Sequence, residues 1–313
     1  MKTLEIIEKR KRPRAFRLNV PAALLILLSF ASIASAQQPA PSAAGKEAIV
    51  YGMKIHYVEA GSGPVVVLLH GLGGSTQNWA FNMDALAQKF RVVVPDQLGF
   101  GRSDKPFTNY RVATYVDFLD GFLKELKIER ASLVGNSLGG WIAAAYTLAH
   151  PEKVERLVLV DAAGFAPPAD FDKNSLAGLN PSTREGMRRL AMLVFSNKQL
   201  FTSDAAIDLL LKQRLAAGDG YTIQSLNESI ARREDMLDNR LSAIKQPTLL
   251  IWGRDDGLTP LKEYGERFQR EIKGSELLVF EQCGHVPQVE KAAEFNAALL
   301  KFLAPATTTA PTN

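Results

Sequence analysis

The stretch Leu133-Val134-Gly135-Asn136-Ser137-Leu138-Gly139-Gly140-Trp141 decides how the rest of the chain is read. An apolar run over 131–134 enters it, and a run of good helix formers over 142–149 leaves it. Ser137 has a glycine two residues to each side. A serine aimed out of a strand-to-helix turn holds a cramped backbone conformation, and flanking residues without a Cβ let strand and helix pass close together. The bare pattern G-x-S-x-G also fits a Gly-rich turn with a helix-capping serine. The two readings separate on whether other strand ends supply a base, an acid and hydrogen-bond donors.

Composition sets the frame for that question. The chain has 313 residues, 46% hydrophobic and 22% charged, enough for a sizeable core and one large α/β domain or two small ones. The formal charge of +4 sits in the first 36 residues, which hold seven Lys/Arg and two acids. Without them, 30 basic residues face 31 acidic ones, a net charge of −1, so the body has no electrostatic footprint for nucleic acid. Residues 1–36 read as a signal peptide: a basic region ending at Arg17, 15 apolar residues over 20–34, and Ala34-Ser35-Ala36 before Gln37. The apolar stretch is short against the ~20 residues of a spanning helix. The expectation is export to the periplasm or medium after cleavage near Ala36. An uncleaved leader holding the protein at a membrane is the alternative. The single cysteine, Cys283, excludes an intramolecular disulfide.

Residues 37–47 are Pro/Ala/Ser-rich and read as a linker. Strands are expected at 48–50 and 53–58, turned at Gly52, then at 65–69, 92–94, 131–134, 154–160, 248–252 and 277–280. Helical patterns fall at 78–89, 112–126, 261–272 and 289–303, and this alternation means a mostly parallel α/β sheet of eight strands. The rhythm breaks over 164–241, where helical patterns at 184–195, 205–215 and 223–236 describe a helical insertion. The core therefore divides into 48–163 and 242–303, and the Pro/Thr/Ala-rich residues 304–313 read as a disordered tail.

With the Ser137 turn come His70-Gly71-Leu72-Gly73-Gly74-Ser75, the turn from Pro95 to Asp104, Gly253-Arg254-Asp255-Asp256-Gly257-Leu258-Thr259-Pro260, and Gln282-Cys283-Gly284-His285-Val286-Pro287. Each lies at the end of an expected strand, and together they resemble the α/β-hydrolases over residues 48–303. The resemblance implies a Ser…Asp…His triad in that chain order and a cap inserted after the sixth strand, where 164–241 fall. A serine hydroxyl needs a neighbouring base near neutral pH, and histidine suits that task. Of four histidines, His56 lies in an early strand pattern, His150 stands before Pro151 at a helix end, and His70 braces a glycine loop in this family. His285 follows a strand and precedes a helix, as the family's base does. The family's spacing, three residues after the glycine and four before the proline, selects Asp256 as the acid rather than Asp255. The backbone N–H groups of Leu72 and Leu138 are then the expected oxyanion donors.

Ser137 at the elbow, where an aspartate would mark haloalkane dehalogenases or epoxide hydrolases, leaves two hydrolytic readings. One is a carboxylesterase or lipase acting on a small-molecule ester. The other is a carbon–carbon bond hydrolase of the meta-cleavage-product type, to which Gly135 to Gly140 and the cap are similar. In those enzymes a cap arginine binds the substrate's carboxylate, and Arg214 falls in a comparable place, although a solvated helix face would read the same. They also tend to follow the catalytic histidine with a tryptophan, where this chain has Val286, and they are normally cytoplasmic. Val286 and the leader tip the sequence reading towards the ester. Trp141 is the tryptophan near enough to the elbow to touch substrate, and Met187, Leu190, Leu193, Val194 and Phe195 are candidate pocket wall. Cys283 reads as packing. No cluster has metal-ligand spacing, and no cofactor is implied. A non-catalytic binding protein of this fold is the third reading; the presence of all three triad residue types argues against it.

Overall fold

The computed structural model describes residues 45–167 and 172–304. The leader, residues 37–44 of the linker, and residues 305–313 of the tail lie outside the described residues. The strands are β1 (Lys46–Val50), β2 (Met53–Ala60), β3 (Val65–Leu69), β4 (Arg91–Pro95), β5 (Ala131–Asn136), β6 (Val154–Val160), β7 (Thr248–Gly253) and β8 (Glu276–Phe280). They form one sheet in the order β1-β2-β4-β3-β5-β6-β7-β8. β2 runs antiparallel to β1 and β4, and every pairing from β4 across to β8 is parallel.

Among the described residues the α-helices are α1 (Met83–Ala87), α2 (Val112–Glu125), α3 (Leu138–Ala149), α4 (Arg184–Val194), α5 (Lys198–Phe201), α6 (Asp204–Ala216), α7 (Gly220–Ala231), α8 (Gly265–Glu271), α9 (Pro287–Glu290) and α10 (Ala292–Leu303). Parallel strands need crossover connections, and helices on both faces of the sheet supply them. Side chains of the central strands alternate accordingly. Val67, Leu69, Leu133, Leu157, Leu159 and Trp252 pack into one apolar layer with Phe122 of α2 and Ile142 and Tyr146 of α3. Val66, Leu68, Val134, Val158, Val160 and Ile251 pack into the other with Leu86 of α1 and Phe295 and Leu299 of α10. Burial of both faces is why these strands read as unbroken apolar runs, and each such side chain contributes roughly 1.5–3 kcal/mol.

Between β6 and β7 the described residues hold helices and no strand. Two backbone bonds tie the end of α4 to the loops after β7 and β8: the Gly257 N–H donates to Leu193 O at 3.0 Å and the His285 N–H to Val194 O at 2.7 Å. The helical segment is thereby fixed over the carboxyl ends of the parallel strands, where open α/β sheets place their ligands.

The helix expected over 289–303 is broken at Lys291 into α9 and α10, that over 261–272 is shortened to α8, and three further elements depart from the periodicity. The helix expected over 78–89 is a 3-10 turn (Thr76–Trp79) followed by α1. The break coincides with buried Asn82, whose Nδ2 donates to Gln288 O and Asn296 Oδ1 and so follows a tertiary demand rather than a helical one. The helix expected over 223–236 ends at Ala231, because Arg233 and Asp235 adopt positive φ (58° and 57°) and Asp235 turns to accept from Arg111 and the Ala113 N–H. β1 starts at Lys46, inside the stretch read as linker, where Lys46 Nζ pairs with Glu59 at 2.7 Å.

Candidate active site

The turn between β5 and α3 carries Ser137 at φ 56° and ψ −117°. This is a strained backbone for a side chain with a Cβ, and its neighbours show what holds it. A Cβ on Gly135 would stand 2.1 Å from Gly139 O, and one on Gly139 would stand 2.2 Å from Leu69 O. Strand and helix thus approach within a distance that glycine alone permits. The Ser137 N–H donates to Val160 O (2.9 Å), while Ser137 O accepts from Trp141 and Ala163 (both 3.1 Å), so the strained residue is bonded on each side.

His285, in the loop after β8, and Asp256, in the loop after β7, are both buried. The His285 Nδ1–H donates to Asp256 Oδ2 at 2.8 Å. That bond fixes the tautomer with the Nε2 lone pair free, the state that accepts a serine proton. Asp256 Oδ1 accepts from the Leu258 and Thr259 N–H groups at 2.8 and 3.1 Å, and the Thr259 hydroxyl donates to Oδ2 at 2.6 Å. Burial pushes the Asp256 carboxyl up, but the attraction and hydrogen bond of His285 and the Thr259 and Leu258 donors outweigh it and hold the group at about 2. Asn136, beside Ser137, donates from Nδ2 to His285 O at 3.0 Å, which ties the elbow to the histidine loop.

The glycine loop after β3 lies against the elbow: a Cβ on Gly71 would be 3.2 Å from that of Ser137. His70, fully buried, donates from Nδ1 to Gly71 O (2.8 Å) and accepts at Nε2 from the Gln97 N–H (3.0 Å). Burial pushes its pKa down, so it stays neutral and braces the loop. Leu72 lines the cavity with Ser137, and the Leu138 N–H belongs to the first turn of α3, where N–H groups have no intrahelical acceptor. Leu72, next to Gly71, and Leu138 thus both lie beside the serine. The cavity, about 1090 Å³, is walled by Ser137, His285 and Trp141 and, from the helical segment, by Leu190, Leu193, Val194 and Phe195.

A family profile described as the α/β hydrolase fold matches residues 64–292. The chain belongs to this family. The hydrolase is 36% identical over 272 residues to the 2-hydroxymuconate semialdehyde hydrolase of Pseudomonas sp. (strain CF600), covering 84% of this chain and 94% of that one. Its structure superposes on a meta-cleavage product hydrolase from Pseudomonas fluorescens IP01 with TM-score 0.74 at 29% identity, covering 83% of this chain and 97% of that one. A membrane phospholipase A, described as a bacterial virulence factor, gives TM-score 0.72 at 31% identity, with 83% and 85% covered.

Other residues singled out in the sequence fall as follows. Trp141 lines the cavity and donates from Nε1 to Asp235 O at 3.0 Å. Arg214 is not on a solvated helix face: it is nine-tenths buried and ion-paired through Nη2 with the buried Asp219. Its Nη1 has no hydrogen-bond partner and stands 3.2 Å from where a Cβ on Gly73 would be, behind the glycine loop rather than in the cavity wall. Asp255 is exposed and accepts from the Ser196 hydroxyl at 2.5 Å. Met187 packs inside the helical segment with Ala191 and Ile207, away from the cavity wall. Cys283 is fully buried, and burial pushes its thiol up.

Sequence spacing missed Asp161, 95 positions before Asp256. One oxygen from each of Asp161 and Asp256 and one nitrogen of His285 lie within 4.8 Å of one another. That spacing is also compatible with a metal, but both Asp256 oxygens are taken by the four donors above, and Asp161 Oδ1 accepts from the Gly253 N–H at 2.9 Å. Asp161 Oδ2 is the oxygen left without a partner, so the group is a triad pair with a buried neighbour rather than a ligand set. Burial and the charge of Asp256 push the Asp161 carboxyl well up.

Proposed function

We propose that this hydrolase cleaves a carbon–carbon bond in a small carboxylate-bearing substrate of the meta-cleavage-product type. The observation that carries this reading is the 36% identity, over 84% of this chain and 94% of that one, to a hydrolase whose name specifies 2-hydroxymuconate semialdehyde; Arg214 bears on it from behind the glycine loop. A buried guanidinium with one unbonded nitrogen stands directly behind the loop that flanks the nucleophile. With Nη2 held by Asp219, only Nη1 is left to favour a carboxylate brought against that loop, and bidentate capture is ruled out. The relatives described above, whose names specify muconate semialdehyde and meta-cleavage products, support the same reading and outweigh the ester preference drawn from Val286 and the leader.

In this reading Ser137 attacks the substrate's carbonyl carbon while His285 Nε2 takes the hydroxyl proton. The oxyanion is held by the Leu72 and Leu138 N–H groups. The carbon–carbon bond then breaks, the leaving carbon keeps the electron pair, and His285 returns the proton to it. Water, deprotonated by His285, attacks the acyl-serine and releases the acid.

Ester hydrolysis by the same triad is the second reading. It is favoured by the phospholipase similarity and by the Asp219 carboxylate that already pairs with Arg214. The test is to measure kcat/KM on a 2-hydroxy-6-oxohexa-2,4-dienoate and on p-nitrophenyl esters from acetate to palmitate, with Ser137→Ala as blank and Arg214→Ala as probe. Carbon–carbon hydrolysis requires Ser137-dependent dienoate turnover that drops at least tenfold in Arg214→Ala while ester turnover barely changes. Ser137-dependent ester turnover with an inert dienoate would replace the proposal with the ester reading. Export with cleavage before Gln37 is part of the proposal and is checked by N-terminal sequencing of the fractionated protein.

A further inference from the structure

Glu290, at the end of α9, has no part in the chemistry above, yet its carboxylate joins two pieces of the site. Oε1 accepts from the Gly284 N–H at 2.8 Å, and Oε2 accepts from the Ser196 N–H at 2.9 Å. Gly284 directly precedes His285. Ser196 follows the end of α4, whose Leu193 and Val194, with Phe195, wall the cavity. The two pieces also meet directly, through the His285 N–H donating to Val194 O at 2.7 Å. The fit leaves no slack: a Cβ on Gly284 would stand 2.2 Å from Val194 O and 2.9 Å from both Glu290 Oε1 and the Ser196 N. On the outer side Lys198 Nζ bonds Phe195 O at 2.5 Å and closes the end of α4.

We propose that Glu290 is a positioning residue that locks the cap segment Leu193–Ser196 to the His285 loop, so that one carboxylate sets both the place of the base and the apolar wall of the cavity. Its bonds from Gly284, Ser196 and a third donor, the Asn197 N–H, are charge-assisted and come from backbone N–H groups, and those of Gly284 and Ser196 have no other acceptor if the carboxylate is lost. A carboxylate, with acceptors at both ends, serves two donors; an amide of the same shape serves one and turns its own N–H groups against the other. Glu290 therefore cannot be replaced by glutamine, although glutamine fills the same space. The inference rests on Ser137 and His285 acting as nucleophile and base, whichever bond is cleaved.

The test uses the purified enzyme and a fluorophosphonate, which Ser137 attacks with loss of fluoride while His285 takes the proton. Its labelling rate reports the base without reference to the natural substrate. Glu290→Gln, assayed well below its unfolding temperature, is expected to label on the order of tenfold to hundredfold more slowly, the loss that follows displacement of a catalytic group by about 1 Å. The downfield proton of the His285–Asp256 hydrogen bond should shift or broaden, and the Ser196 and Gly284 amides should lose exchange protection together. Glu290→Asp, too short to span both donors, should move the same readouts less and serves if the glutamine variant does not fold. Labelling at the wild-type rate by a folded Glu290→Gln or Glu290→Asp protein would overturn the proposal alone. A wild-type enzyme that is not labelled at Ser137 would overturn the serine-nucleophile reading, and the proposal with it.

Discussion

Replacing Asp256 by asparagine removes a charge and turns one acceptor into a donor without changing the side chain's volume, so its effect can be worked from the site itself. The carboxylate titrates at about 2 instead of 3.8, despite burial, because His285 and the Thr259 and Leu258 donors favour the charged form. That difference corresponds to roughly 2.5 kcal/mol of preference for the carboxylate. His285 is the foremost favourable contributor, so losing the charge slows proton transfer on the order of fiftyfold. The asparagine amide also faces Nδ1 with its own N–H group and turns the ring to the tautomer that cannot accept from serine, a defect that costs triads about 10⁴-fold. The expected fall in kcat thus lies between about fiftyfold and ten-thousandfold. Asp255→Asn is the matched control: Asp255 is exposed, and an amide oxygen still accepts from the Ser196 hydroxyl, so the expected loss is under about threefold. The assay is kcat near neutral pH with fluorophosphonate labelling alongside. Because the folded pKa of Asp256 is depressed, its contribution to stability is present above pH 3.8 and is lost as pH falls towards 2. The stability gap between wild type and Asp256→Asn should therefore close on acidification. Equal losses in the two variants, or a folded Asp256→Asn within threefold of wild type, would refute the assignment.

Gly135→Ala places a Cβ 2.1 Å from a backbone oxygen of the adjoining helix, so strand and helix must part. Urea unfolding should show a loss of about 3 kcal/mol or more, or no soluble protein, and a loss under about 1 kcal/mol would mean that close packing is not what demands glycine there. Asp161→Asn tests the buried neighbour of the triad. A folded pKa pushed up by burial and by Asp256 means that the aspartate's contribution to stability is present at low pH and lost as pH rises. The asparagine variant should gain in Tm relative to wild type from pH 4 to pH 8, and a gap that stays constant or narrows would contradict the buried-acid reading. Cys283, fully buried with its thiol pushed up, should resist a maleimide in the native enzyme and react on unfolding; prompt native labelling with loss of activity would bring it into the site.

The sequence was most legible where chemistry is encoded over a few consecutive residues at a strand end. Gly135 and Gly139 mark a close approach whose steric cause, Gly139 O and Leu69 O, is visible in the structure but whose glycines already stand at the required spacing. The mostly parallel character of the sheet was legible because the central strands, buried on both faces, leave no polar alternation to confuse with an edge. Helix ends were less legible: the ending at Ala231 answers to Asp235 reaching Arg111, 124 positions away, and no local pattern reports such a partner.

The same limit bears on the reaction proposed above. Arg214 looks in sequence like one more cation on a helix, and its meaning depends on Asp219 beside it and Gly73 in front of it, one from the start of the next helix and the other from a loop after β3. Val286, by contrast, was visible at once and pulled the reading towards an ester, because a missing tryptophan is a local signal and a buried guanidinium is not. Asp161 and Glu290 belong with Arg214. Asp161 meets the triad across 95 positions, and Glu290 bonds a cap residue 94 positions before it. The three residues of the expected triad stand at strand ends, and strand ends have sequence signatures. Arg214 and Glu290 make their contacts between the loops of the sheet and the cap. There the partner of a side chain comes from a distant stretch of the chain, as Ser196 does for Glu290, so no local spacing announces it.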